Sequence, residues 1–187
     1  MCKICVNFLI ERTFYEYKKI KNNISYIYIS IIILVHYGYN LIPSFLTSIF
    51  FPINESLFEH MKLISTCYLI WSLIEYKLLD NKTNFKSNII ISITFNIVIF
   101  LLLYYPIFIN FDHNLFITLL IYLISIILTL ILSYYILNMK KDLFLNKYFI
   151  IFIILIIIIN ILFTYFPLKT NFFIDYMNKK IGFSNYY

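Results

Sequence analysis

The chain has 187 residues, of which 62% are hydrophobic and 13% charged, with a formal net charge of +6 and a mean hydropathy of +0.86. A soluble domain of this length runs to roughly half apolar and about a quarter charged. One water-soluble core has no room for the surplus. The composition therefore excludes an ordinary soluble domain and points to a polytopic membrane protein, whose basic excess belongs to cytoplasmic loops rather than to a nucleic-acid surface.

Ala and Gln are absent and Gly occurs only twice. Close small-xxx-small helix contacts must therefore fall to Ser and Thr, with large aliphatic and aromatic side chains filling the remainder. Cys2, Cys5 and Cys67 make no disulfide framework, and the lone Cys2-x-x-Cys5 pair reads as two small apolar residues on a helix face.

In chain order, residues 1–23 mix Cys5, Phe8, Leu9, Tyr15 and Ile20 with Lys3, Arg12, Lys18, Lys19 and Lys21. That pattern predicts an amphipathic cytoplasmic helix on the membrane surface, and Glu11, Arg12 and Glu16 interrupt any secretory signal. Five apolar runs follow, at about 24–42, 56–78, 88–108, 114–137 and 148–166. Each is close to the roughly 18–20 residues that cross a hydrocarbon core. Pro106 is expected to stop the third and Pro167 the fifth. The expected fold class is all-α: one domain over residues 1–187, an integral membrane bundle of five transmembrane helices.

Lys and Arg set the orientation. With the N-terminus in the cytoplasm, the inner segments hold Lys3, Arg12, Lys18, Lys19, Lys21, Lys77, Lys82, Lys86, Lys140, Lys141 and Lys147. The outer ones hold only Lys62, Lys169, Lys179 and Lys180. The positive-inside rule then gives a cell-membrane protein with its N-terminus inside and its C-terminus outside. In that arrangement His36, Asn54, Glu55, Ser56, Glu59, His60, Asp112, His113 and Asp175 gather at the extracytoplasmic face. Glu11, Glu16, Glu75, Asp80 and Asp142 fall among the inner basic residues, where charge balance accounts for them.

The polar stretch "FPINESLFEHMKLI" (51–64) opens the second span. Ser56-x-x-Glu59 has the form of a capping box, in which the serine oxygen takes the Glu59 amide and the Glu59 carboxylate reaches back. Asn54 can cap earlier, and Glu59 and Lys62, three apart, can pair. His60, Glu55 and Lys62 exceed what capping needs. A charge at the bilayer centre costs about 2.5–3.5 kcal/mol, so these groups must lie at headgroup level or point inward, toward His36.

Two functions fit such a cluster. In the first, it binds a ligand or holds the helices in register without turnover, with Asn54, Ser56, Lys62 and Asp175 as ligand-binding residues. In the second, the protein is a membrane-embedded, metal-dependent enzyme, a hydrolase acting on lipid or envelope substrates. There Glu59 or Glu55 is the catalytic base, and His36 and His60 hold a divalent metal such as Zn²⁺. No H-E-x-x-H spacing is present. A transporter is less favoured, because five spans give no inverted repeat.

"FFPINESLFEHMKL" resembles the motif x-P-V-N-E-S-x-W-E-H-x-K-L of a family of small polytopic bacterial membrane proteins classed as a domain of unknown function. "VHYGY" is similar to the His-bearing end of that family's first helix. "FTYFPLKTNFFIDYMNKKIG" resembles its C-terminal pattern F-T-F-x-P-P-x-x-P-L-F-x-D-P-x-T-G-x-Y-G, matching at Phe163, Thr164, Pro167, Phe173, Asp175 and Gly182. It departs at Leu168, Asn171, Phe172, Tyr176, Asn178, Lys179 and Ile181, and Phe58 stands where the family has Trp. The resemblance implies the five-helix plan and marks His36, Asn54, Glu55, Ser56, Glu59, His60, Lys62 and Asp175. It brings no activity with it.

Overall fold

The computed structural model describes residues 30–79, 82–110, 115–175 and 180–185. The amphipathic helix expected at 1–23, the start of the first span and the Asp112-His113 turn lie outside the described residues. Helix α1 is Ser30–Leu41. It is followed by α2 (Phe45–Phe50), α3 (Leu57–Leu78), α4 (Phe85–Asn110), α5 (Leu115–Leu137) and α6 (Phe149–Tyr165), the last led in by a 3₁₀ turn over Phe144–Tyr148. Among the described residues, three stretches, Phe85–Ile107, Phe116–Leu137 and Phe144–Tyr165, are long and apolar enough to cross a membrane.

Two boundaries differ from the sequence reading. Pro106 does not stop the third run: it lies inside α4, which continues to Asn110. A proline is tolerated there where neighbouring groups satisfy the freed carbonyl. Helix α2 was not expected at all. Its N-cap Ser44 accepts from the Thr47 amide while the Thr47 hydroxyl accepts from the Ser44 amide, a reciprocal cap within six residues.

Small polar side chains share the interior with the apolar core. Ser65, Thr66, Ser72, Ser87, Ser92, Thr118, Ser125, Thr129 and Ser133 are buried, whereas Leu102, Leu119, Ile131, Ile150, Ile154 and Leu162 face outward. Thr118, Ser125, Thr129 and Ser133 recur at helical spacing down α5, so one face stays narrow where it meets α4. This is the close approach that Ser and Thr supply in a chain without Ala. Around it pack Val35, Leu57, Ile64, Trp71, Ile93 and Phe100.

The two ends of the bundle are tied differently. At one end, Asn84 donates to the carbonyls of Met139 and Lys141 and accepts from the Leu143 amide, and the Asn146 carboxamide bonds Ser87 and the Thr83 carbonyl. The loop after α3 is thereby bound to the loop after α5. At the other end, the tail after α6 forms a 3₁₀ turn (Asn171–Phe173) and a two-residue antiparallel ladder, β1 (Lys180–Ile181) with β2 (Ser184–Asn185). The turn between the strands needs Gly182. Its φ is +55°, and a Cβ there would meet the Thr164 carbonyl oxygen at 2.8 Å. Phe173 and Ile181 then pack on Phe58 and Phe163, so the tail lies on the start of α3.

Candidate functional site

The polar stretch is held as a cap on α3. Ser56 is the N-cap, and its hydroxyl accepts from the Glu59 amide at 3.4 Å. Only half of the expected box forms. The Glu59 carboxylate reaches past Ser56 to the Ile53 amide (3.1 Å), and the Ser56 amide goes to the Asn54 side chain (3.0 Å). Asn54 can do this because Asx side chains close onto the amide two residues on. Its Nδ2 donates to the Gly182 carbonyl (3.2 Å), which joins the motif to the tail.

Glu59 and Lys62 form an ion pair at 2.5 Å, with 2% and 0% of their side chains exposed. The Lys62 ammonium also donates to the Ser48 carbonyl (2.8 Å) and to the Thr164 hydroxyl (3.0 Å). Three protons meet three acceptors, which is the full capacity of a lysine. The pair thus joins α2, α3 and α6 at one point. Three contacts with good geometry are what a desolvated ion pair requires if it is not to cost more than it returns.

Glu55 is placed quite differently. It is 29% exposed and stands between two histidines, with Oε1 3.4 Å from His36 Nε2 and Oε2 3.9 Å from His60 Nε2. Both are ion-pair distances longer than an ordinary hydrogen bond, the second well beyond hydrogen-bond reach. The carboxylate therefore joins α1 to α3 while keeping acceptor capacity. His60 is fixed from behind: Tyr122 donates to its carbonyl (2.6 Å), and its ring stands about 6 Å from those of Phe100, Tyr104 and Tyr122.

Below this bridge lies a cavity of about 470 Å³ between α1, α3 and α5. Its wall carries Ile32, Ile33, His36 and Tyr37 from α1, Glu55 from the loop, His60 and Leu63 from α3, and Thr118, Leu119, Tyr122, Leu123 and Ile126 from α5. That volume is within the range of small-molecule sites, about 300–1,000 Å³.

The structure therefore splits the residues singled out by sequence. His36, Glu55 and His60 come together at the cavity; Asn54, Ser56, Glu59 and Lys62 form the cap and lock beside it. Asp175 is buried at 1% exposure in the tail, next to the Ile174–Ile181 bridge. Among the described residues, no three His, Cys, Asp or Glu side chains converge as a metal site needs. His36 Nε2 and His60 Nε2 instead stand 3.4 and 3.9 Å from the oxygens of one carboxylate, that of Glu55.

A second polar cluster escaped the sequence reading. Asn88 Nδ2 sits among Ser133 Oγ (2.9 Å), Tyr68 Oη (3.3 Å) and Glu75 Oε2 (3.4 Å), and Ser92 donates to Asn88 Oδ1 (3.1 Å). Glu75 is thus drawn into a hydrogen-bonded group between α3, α4 and α5, rather than only balancing nearby lysines. The available signal was periodicity: Tyr68, Ser72 and Glu75 share one helix face, as do Asn88 and Ser92.

A sequence model described as a family of unknown function, DUF6512, matches residues 12–183. No curated protein and no solved structure matches the chain.

Proposed function

This chain belongs to the DUF6512 family of unknown function, whose match leaves out only the first eleven and last four residues; from that premise we propose a membrane protein that binds a ligand at its extracytoplasmic end without turning it over. It is a single polytopic domain of five spans in the cell membrane, with a cytoplasmic N-terminus and an extracytoplasmic C-terminus. The three long apolar helices support the membrane placement. The basic residues around the loops tied by Asn84 and Asn146 support the orientation.

One observation carries the binding reading: Glu55, at the polar end of the cavity, is held only by long contacts, while Glu59, one helical turn away, is closed by Lys62. An inward-facing ionisable group in a membrane domain marks a functional site by default. Glu55 is the binding carboxylate, His36 and His60 position it, and the Glu59–Lys62 pair keeps the wall in place.

Native mass spectrometry of the full chain, purified in mild detergent, tests this. Wild-type protein should carry a one-to-one non-covalent adduct, and Glu55→Gln and the cavity-filling Leu123→Trp should each lose it. A bare wild-type protein, with Glu55→Gln unfolding as readily as Glu59→Gln, would return the whole cluster to helix packing.

A further inference from the structure

The cavity is graded along its length and open along its side. Its polar groups, His36, Glu55, His60 and Thr118, lie at one end, near the start of α3 and α5. One to two turns deeper the wall is Ile32, Leu63, Leu123 and Ile126. From Thr118 to Ile126 the slot follows α5 for roughly 12 Å at 1.5 Å per residue. Its inner side is closed, with Leu63, Tyr122 and Ile126 at 3%, 7% and 8% exposure. Its outer rim is Ile33, Tyr37, Leu119 and Leu123, all between 45% and 58% exposed. These four stand on the outward apolar faces of α1 and α5, which a bilayer covers in the arrangement proposed above. The mouth therefore opens into the hydrocarbon layer and not only toward water.

A ligand for such a slot needs an apolar tail and a head that suits Glu55. Among the described residues that line the cavity, Glu55 is the one carboxylate and no Lys or Arg stands with it, because Lys62 is turned away and saturated by Glu59, Ser48 and Thr164. A carboxylate with spare acceptor capacity attracts O–H and N–H donors and repels anionic heads. Resting on the ligand-binding reading above, we propose that the ligand is a single-chain amphiphile of the bilayer. It enters sideways between α1 and α5, and its head is uncharged or cationic and donates hydrogen bonds to Glu55. The tail lies along Leu123 and Ile126, and His36 and His60 flank the head.

The test uses the full chain in phosphatidylcholine nanodiscs with two photoreactive probes of equal chain length, each carrying a diazirine near the chain end. One is a monoacylglycerol and the other a fatty acid. Irradiation followed by peptide mapping should place the monoacylglycerol on Ile32, Leu123 and Ile126, at least tenfold above the fatty acid. Glu55→Gln should reduce this labelling about tenfold and Leu123→Trp should abolish it, both without changing the melting temperature of the reconstituted protein. Equal labelling by both probes, or labelling spread over α6 as densely as over α1 and α5, overturns the proposal. So does wild-type labelling in Glu55→Gln. An adduct in the purified protein that partitions into water on extraction would also overturn it, while leaving the ligand-binding reading intact. A bare protein removes both.

Discussion

Glu59 and Lys62 show how one helical turn can hold two buried charges: each has a partner charge, and every ammonium proton has an acceptor. Removing one member strands the other, which in a buried pair costs about 3–5 kcal/mol, whereas removing both together costs much less. Glu59→Gln and Lys62→Met should each lower stability by that order in detergent unfolding. The double variant Glu59→Gln/Lys62→Met should fall well short of the sum, and additive losses would show that the pair is not coupled. The Ser56 cap and the Glu59–Lys62 spacing were legible in the sequence, because both follow from positions three apart on a helix. The other Lys62 partners were not. Ser48 lies 14 residues before it and Thr164 102 after it, distances that no local periodicity encodes. Glu75 was misread for a related reason: nearby lysines offered charge balance, and the Asn88 and Ser133 partners stand on other helices.

Long helices were read well from their apolar runs. The run expected at 114–137 is α5 (Leu115–Leu137), apolar enough to cross a membrane; that expected at 56–78 is a helix too, α3 (Leu57–Leu78), but not one of the described stretches that are. Short elements without such a run were not, and α2, six residues closed by its own cap, is the example. Between α1 and the motif, the fit depends on Gly38, whose Cβ would come within 2.5–2.8 Å of the Phe51 ring. Gly38→Ala forces that ring or α1 to move, at about 1–3 kcal/mol for overpacking. Because His36 is two residues away on the same helix, the shift should also pull its imidazole off Glu55. Gly38→Ala should therefore lose both stability and the bound adduct, and the smaller side chain of Phe51→Leu should restore both. Loss of stability with the adduct retained would separate the Gly38 contact from the site.

At the scale of the whole molecule, the arrangement depends on which end faces the cytoplasm. The described loops supply an argument that counting lysines does not. Asn84 and Asn146 bind the segment after α3 to the segment after α5, so Lys77, Lys82, Lys86, Lys140, Lys141 and Lys147 belong to one end of the bundle. The tail packs on the start of α3 through Phe173 and the Asn54–Gly182 bond, at the opposite end. Basic residues mark the cytoplasmic side of membrane proteins, so in the orientation proposed above the tail and the Glu55 site face out together. A reporter active only outside the cytoplasm, fused after Tyr187, should be active, and one fused at the Asp142 loop should not. Substituting Asn for Lys140, Lys141 and Lys147 together should weaken that preference, because it removes half of the basic residues from the tied loops. A cytoplasmic signal at Tyr187 in the unaltered protein would place Glu55 and its cavity at the inner leaflet, and the amphiphile it selects would then have to come from there.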